Sequence, residues 1–347
     1  MQEFDNGLQD KWEFDLDAPV NSEINIEKLK KFLEQDENPT LIFYGGEPLL
    51  EIGKIKEIMD KVNVRFCIQT NGKLLNEIPE KYLKRISKIL VSIDGNKERT
   101  DFNKGQGTYN KVIDNVKLIR ERGFVGEIVA RMTISQEFPD VFEQVKHLVN
   151  LNIFDSVHWQ IDAGFYKNDF DEKKFSKFVE EYKESISKLI NYWVSEMKKG
   201  DILKFYPFLG IFENLYYDNK TKLMCGSGYA NYTITTDGNL VACPIMGCIK
   251  DFYCGDLNSK IGDLKKISVG EPCISCEYLN ICGGRCLYSN QAKLWPEEGE
   301  KLICKTVIHL IEGIKKVLPE MKKLIEDEKI SEGDFVYEKY FGPEIIP

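Results

Sequence analysis

From residue 24 to about residue 162 the chain alternates between helix-like and strand-like segments, and this alternation restricts the possible folds more than any other feature. Helix-like EINIEKLKKFLEQ leads into the strand TLIFYGG. The helical segments LEIGKIKEIMDKV, NEIPEKYLKRIS, TYNKVIDNVKLIRERG and FPDVFEQVKHLVN then separate the strands VRFCIQT, KILVSID, EIVARMTIS and SVHWQID. Strands spaced by helices in this way pair in parallel through right-handed crossovers, so a barrel and an open doubly wound sheet both fit. In either, ligands sit at the carboxyl ends of the strands.

Those ends read Gly45-Gly46-Glu47-Pro48, Thr70-Asn71-Gly72 and Ser92-Ile93-Asp94-Gly95. Arg131 lies inside the fourth strand pattern, and Gln160 and Asp162 lie near the fifth. Taken singly, Asn-Gly and Asp-Gly are ordinary turn formers, and two glycines before a proline make a tight entry into a helix. Five successive strand ends with small or polar residues on one rim favour a ligand site. Two glycines beside a glutamate leave bare backbone next to a carboxylate, where a ligand approaches closely.

At 347 residues, 42% hydrophobic and 12% aromatic, the chain has material for a large core and a second unit. The segments DEKKFSKFVEEYKESISKLINYWVSEMKKG and PFLGIFENLYY read as two bridging helices with aromatic core contacts. A net charge of −9, from 56 acids against 47 bases, argues against nucleic acid as a partner, because a phosphate backbone demands a basic face. The segment MQEFDNGLQDKWEFD is too polar for a secretory signal, and no run approaches a membrane-spanning length. The expected compartment is the cytoplasm, with no membrane partner.

Nine of the ten cysteines fall between Cys225 and Cys304, and clustered thiols in such a chain indicate metal before disulfides. Their order is Cys225-x12-Gly238-x4-Cys243, then Cys273-x2-Cys276-x5-Cys282-x3-Cys286, then x17 to Cys304. Cys248 and Cys254 follow a hairpin, YTITTDGNLVAC, that turns at Asp237-Gly238. A C-x2-C pair serves zinc and iron–sulfur sites alike, so spacing leaves both open. Cys67, alone in a strand, reads as a small buried hydrophobe.

The whole cysteine pattern resembles the SPASM (twitch-type) extension of radical SAM enzymes at each of its seven cysteines. Tyr44-Gly45-Gly46-Glu47-Pro48 is similar to the GGEP motif of the same superfamily. The resemblance implies an α/β fold: a partial (β/α)6 barrel over residues 1–165, a helical bridge over 166–224, and a small cysteine-rich α+β SPASM domain over 225–304. A helix and tail over 305–347 follow. It implies that Gly45, Gly46 and Glu47 receive the amino group of S-adenosylmethionine (SAM), and that Ser92 and Arg131 hold its carboxylate and ribose. Gln160 falls near the adenine or ribose. It further implies two auxiliary [4Fe–4S] clusters. Cys273, Cys276, Cys282 and Cys304 hold the outer one. Cys225, Cys243 and Cys286 hold the inner one, whose fourth position is open to substrate or closed by Cys248 or Cys254.

One part of the family pattern is missing. The C-x3-C-x2-C triplet that binds the SAM-cleaving cluster after the first barrel strand does not occur in these residues, and five strands are counted where the family has six. The barrel is therefore expected to lack its first strand, and a late start codon, with roughly 20–40 further codons upstream encoding a strand of about 5–6 residues and the cluster loop, is the expectation. The third cluster would come with that segment. The resemblance also implies a peptide or protein substrate, modified through hydrogen abstraction by the 5′-deoxyadenosyl radical, and a reductant such as a ferredoxin or flavodoxin. Pro244, where sulfatase-maturing members have an aspartate, lowers that option. Two alternatives remain: a non-catalytic iron–sulfur electron-transfer or peptide-binding protein, and a zinc-stabilised module.

Overall fold

The computed structural model describes residues 8–342 and residue 347; the first seven residues of the barrel portion and residues 343–346 of the tail lie outside the described residues. α1 (Ile26–Leu33) starts at Asn25, whose side chain accepts from the Lys28 amide at 3.0 Å, and buries Ile26, Leu29, Phe32 and Leu33. This is the spacing of one helical face. β1 (Thr40–Phe43), β2 (Arg65–Thr70), β3 (Ile86–Ser92), β4 (Glu127–Ile134), β5 (Ser156–Ile161) and β6 (Lys204–Phe205) then form one sheet in chain order. Every pairing in it is parallel. The crossovers are α2 (Ile52–Lys61), the short α3 (Glu80–Leu83), α4 (Lys97–Lys104) with α5 (Thr108–Glu121), α6 (Phe142–Asn150) and α7 (Glu172–Met197).

The strand order decides between the two architectures left open by the alternation. A doubly wound sheet reverses direction at a switch point; this sheet never does, so it winds one way, as a partial barrel. Its central strands are apolar without alternation, with Ile89, Leu90, Val91, Ile128, Val129 and Ala130 all buried, because both faces of a parallel sheet are covered.

The strand count differs from the sequence reading. β6 is a sixth strand, inside the stretch expected to be only a helical bridge. It has two residues between α7 and α8 (Tyr206–Tyr216), too few to show any periodicity. It joins the far edge beside β5, so among the described residues nothing pairs with the outer edge of β1.

The cysteine-rich part carries a second, antiparallel sheet of β7 (Thr233–Ile234), β8 (Asn239–Val241) and β9 (Tyr253–Asp256). Its first turn contains Gly238 at φ +97°, as the Asp-Gly signal requires. After α9 (Leu279–Cys282) and α10 (Leu287–Ala292) comes α11 (Glu297–Glu326), a helix of 30 residues. It begins before Cys304 and carries it. Leu302, Ile303, Val307, Leu310 and Ile311 bury its inner face, and it packs along α7 and α8.

On the amino side of the sheet, Lys88 is 0% exposed. Its Nζ meets Glu127 Oε2 at 2.9 Å, Glu338 Oε2 at 3.1 Å and the Tyr206 hydroxyl at 2.6 Å, and it lies 4.3 Å from the Phe341 ring centroid. Arg65 pairs with the same Glu338, so the C-terminal tail is bonded to the sheet through charge. Neighbouring Cys67 is buried and its thiol is pushed up to about 11 by that burial, which makes it an inert core residue. Removing one member of a buried charge network leaves the others uncompensated, so Lys88→Ala should cost about 3–5 kcal/mol. Urea denaturation measures this, and an unchanged midpoint would show that the tail contributes nothing to the barrel.

Candidate active site

Because all six strands run the same way, their carboxyl ends share one edge. Residues 44–48 leave β1, Thr70 ends β2, Ser92 ends β3, and Arg131 and Gln160 lie on β4 and β5. Register places Ser92 beside Arg131 and Thr133 beside Gln160. The residues that the sequence singled out therefore form one row across adjacent strands.

At the head of this row, Gly45 has φ +126°, and a Cβ added at Gly45 or Gly46 would meet nothing within 4 Å. The first glycine is there for its backbone conformation; together they leave an open approach. Glu47 caps the following turn: its Oε1 accepts from the Leu49 amide at 3.1 Å and from Thr70 Oγ1 at 2.7 Å, and its Oε2 from the Asn71 amide at 2.7 Å. A carboxylate has about four lone-pair sites, so three are taken, two of them joining the exit of β1 to β2, and one on Oε2 is left.

Arg131 is the electrostatic centre of the row. Its Nη2 donates to Gln160 Oε1 at 2.9 Å, while its Nε is buried with no hydrogen-bond partner. Burial lowers its pKa from the ordinary arginine value, and the Tyr44 hydroxyl, hydrogen-bonded to it, opposes that fall. The sequence reading missed Tyr44 as a partner of Arg131, although it quoted the residue as the neighbour of the glycine pair. An orphaned guanidinium N–H at an open strand edge fits an anionic or polar ligand group such as a carboxylate or ribose oxygen.

Other strand-end residues are occupied with structure. Asp94 is 1% exposed; it accepts from the Thr133 amide at 2.9 Å and from Asn103 Nδ2 at 3.0 Å, and it pairs with Lys104 at 3.3 Å. It ties β3 to β4 and to α4. Thr70 Oγ1 and Asn71 Oδ1 accept from the Gly72 and Lys73 amides at 3.1 and 2.9 Å, which are turn contacts. Asp162 is raised above its ordinary pKa by burial and by Asp169 and Glu137, against the opposing charge of Arg285.

None of the ten cysteines is in a disulfide among the described residues, and the thiols fall into two neighbourhoods. Burial, then Cys286 and Cys225, push the Cys243 thiol up to about 12, with Ser227 among the opposing donors. Cys225 Sγ lies 3.1 Å from Ser227 Oγ. In the other neighbourhood, burial, then Cys304 and Cys276, push Cys273 up to about 11. Burial likewise raises Cys282 to about 12, with Cys273 and Cys304 adding to it and the Gly284 and Arg285 amides opposing. Asn290 Nδ2 donates to Cys273 Sγ at 3.4 Å. Cys254 instead donates to the Phe252 carbonyl at 3.4 Å and faces Lys265, and Cys248 bears on Tyr253. Among the described residues, no three His, Cys, Asp or Glu side chains converge on a position for a single metal ion. Buried thiols of raised pKa are neutral by themselves, and a metal group deprotonates them, so an all-sulfur donor set fits an iron–sulfur group chemically.

The Glu47 contacts give a direct expectation. Glu47→Ala leaves the Thr70 hydroxyl and two amides without their acceptor and should cost about 1–3 kcal/mol, read by chemical denaturation. Glu47→Gln keeps one acceptor oxygen and should lose less. Equal losses would show that the carboxylate's bonds to the second strand are not what stabilises the turn.

Residues 17–151 match the sequence model of the radical SAM superfamily. A cysteine-type anaerobic sulfatase-maturating enzyme of Clostridium novyi (strain NT) is 22% identical over 313 residues, 80% of this chain and 80% of its own length. The radical SAM cyclopropyl synthase TigE of Paramaledivibacter caminithermalis is 23% identical over 331 residues, 86% of this chain and 66% of its own. The solved structure of native anSMEcpe with bound AdoMet and Cp18Cys peptide superposes with a TM-score of 0.62 at 17% identity, over 86% of this chain and 92% of that one. At that identity the likeness is one of fold. Sequence match and fold agree: residues 17–151 form a radical SAM domain.

Proposed function

We propose that this protein modifies a peptide or protein substrate by SAM-dependent radical chemistry, with two auxiliary [4Fe–4S] clusters. The observation that carries the reading is Arg131, whose buried Nε lacks a partner on a rim where Gly45 and Gly46 leave open space. Gly45, Gly46 and Glu47 would receive the SAM amino group, Ser92 and Arg131 its carboxylate and ribose, and Gln160 would orient Arg131 while bordering the adenine or ribose. SAM supplies the 5′-deoxyadenosyl group that abstracts a substrate hydrogen, and the protein supplies position and charge. Relatives that include a sulfatase-maturating enzyme, and a fold shared with a protein solved with a bound peptide, support a peptide substrate.

The thiol neighbourhoods support residues 225–304 as a SPASM unit, with Cys273, Cys276, Cys282 and Cys304 on one cluster and Cys225, Cys243 and Cys286 on the other. The fourth position of the second is left to Cys248, Cys254 or substrate. The cluster that cleaves SAM would be bound by a C-x3-C-x2-C segment outside these residues, with a ferredoxin or flavodoxin as electron donor. No helix of the described residues is long and apolar enough to cross a membrane, in keeping with a cytoplasmic site of action.

After anaerobic reconstitution the chain should hold about eight iron atoms, two Cys-ligated four-iron clusters; stoichiometric zinc without iron would overturn the assignment. In protein carrying the C-x3-C-x2-C segment, dithionite should produce 5′-deoxyadenosine. There, Arg131→Ala should weaken SAM binding by roughly 10- to 150-fold, the equivalent of a charged hydrogen bond, and Ser92→Ala by roughly 2- to 10-fold. Unchanged calorimetric affinity in both, and in Glu47→Ala, would move the SAM site elsewhere.

A further inference from the structure

The two faces of the six-stranded sheet are covered differently. Ile89, Val91, Ile128 and Ala130 belong to the main core beneath the helices, whereas the alternate residues Leu90 and Val129 form a separate small cluster with Tyr206. The residue packed on that cluster is Tyr337, from the tail after α11. The concave face of the partial barrel is thus filled by a segment remote from it in sequence.

Register divides this face into three levels. Lys88 pairs with Glu127, Leu90 with Val129, and Ser92 with Arg131, and residues two apart in a strand project to the same side. The lowest level is charged. Glu338 closes it against Lys88 at 3.1 Å, with the Phe341 ring centroid 4.3 Å from the same Nζ. Cys67, the register partner of Lys88 on β2, is fully buried there. The middle level is apolar and aromatic, and the Tyr337 ring meets that of Tyr206 edge-on at 5.9 Å. The top level is the Ser92–Arg131 row, where Arg131 Nε is buried without a partner. Two residues of strand rise, roughly 6.6 Å, separate one level from the next, so Tyr337 lies a single level beneath the candidate site.

Contacts on both sides of Tyr337 fix the height of its ring. Phe335 stacks on Phe212 at 3.9 Å, and the Tyr337 hydroxyl itself donates to Glu213 Oε2 at 2.8 Å. Beyond it, Lys339 pairs with Glu213 at 2.6 Å, and the Tyr340 carbonyl accepts from Asn231 Nδ2 at 3.0 Å. The tail is therefore tied to α8 and to the loop after Cys225 as well as to the charges at the base of the sheet.

We propose that Tyr337 is the floor of the pocket whose wall is the Ser92–Arg131 row. Its ring stops a ligand that enters from the mouth one level below Arg131 and closes off the charged level beneath. Tyr337 is thereby a specificity-determining residue: a substrate group longer than the space above the ring does not fit.

This inference rests on the reading of the row as the SAM site, and the experiment keeps the two apart. Full-length protein, as wild type, Y337A and Y337F, is treated with iodoacetamide with and without saturating SAM. Modification of Cys67 is followed by peptide mass spectrometry, and SAM binding is measured by calorimetry. Loss of the ring opens a path from the mouth to Cys67, so Cys67 in Y337A should react roughly tenfold faster or more than in wild type or Y337F. Bound SAM, lying across that path, should remove most of the gain. Ala130→Cys, on the helix-covered face, should stay unreactive when combined with Y337A. Equal Cys67 rates in Y337A and wild type overturn the proposal. So does an equal gain in Y337F, which would make the hydroxyl bond and not the ring the barrier. A gain that bound SAM leaves untouched means entry from the base past a displaced tail, and reactivity of Ala130→Cys means a sheet loosened throughout; either result also overturns it. If calorimetry finds no SAM on the wild type, the site reading itself fails and the proposal falls with it, whatever the Cys67 rates.

Discussion

Parallel pairing of six strands in unbroken chain order is the constraint from which the site follows. A sheet that never reverses direction collects all its carboxyl ends on one edge, and residues distant in sequence meet there through register alone. Ser92 stands beside Arg131, and Thr133 beside Gln160. A slip of one residue would turn each side chain to the opposite face and remove the row. Glu47 and Asp94 lock this register from outside the ladder, the first joining the exit of β1 to β2 and the second joining β3 to β4. Both are acids in the site's neighbourhood, and both act chiefly on the scaffold.

The sheet treats buried charge differently at its two ends. On the amino side Lys88 is fully enclosed and satisfied by Glu127, Glu338 and Tyr206, an arrangement that fixes the tail and asks for nothing more. At the carboxyl side Arg131 and Arg285 are buried with an Nε unpartnered in each. Unsatisfied donors of a charged group are expensive in a low-dielectric interior. Their concentration at the mouth, opposite a closed network at the base, marks the mouth as the surface that expects a ligand.

The long α11 joins the two halves of this argument. Its apolar face lies along α7 and α8, so packing that belongs to the barrel's outer layer also holds Cys304 near Cys273, Cys276 and Cys282. The cysteine-rich region has little secondary structure of its own, and its second sheet has only short strands. Its thiols are therefore arranged mainly by loops fixed at both ends against larger elements.

Much of this was legible in the residues. Alternating helical and apolar segments determined the parallel α/β class, because burial on both faces imposes that composition on strands. Gly45 and Gly46 announced an open turn, since no side chain could follow that path at Gly45. The cysteine spacing announced a metal-type region but was silent on how the thiols divide. Only tertiary packing could decide the rest. β6 was invisible because two residues carry no period. The roles of Glu47 and Asp94 as struts depend on amides from other strands, and the pairing of Tyr44 with Arg131 depends on register. Arg285 stands between two cysteines in the sequence; its burial, its left-handed backbone and its bond to the end of β5 arise only when the cysteine-rich region folds onto the barrel. Sequence pattern fixes what each segment buries by itself, whereas which charges are left without a partner is a property of segments brought together.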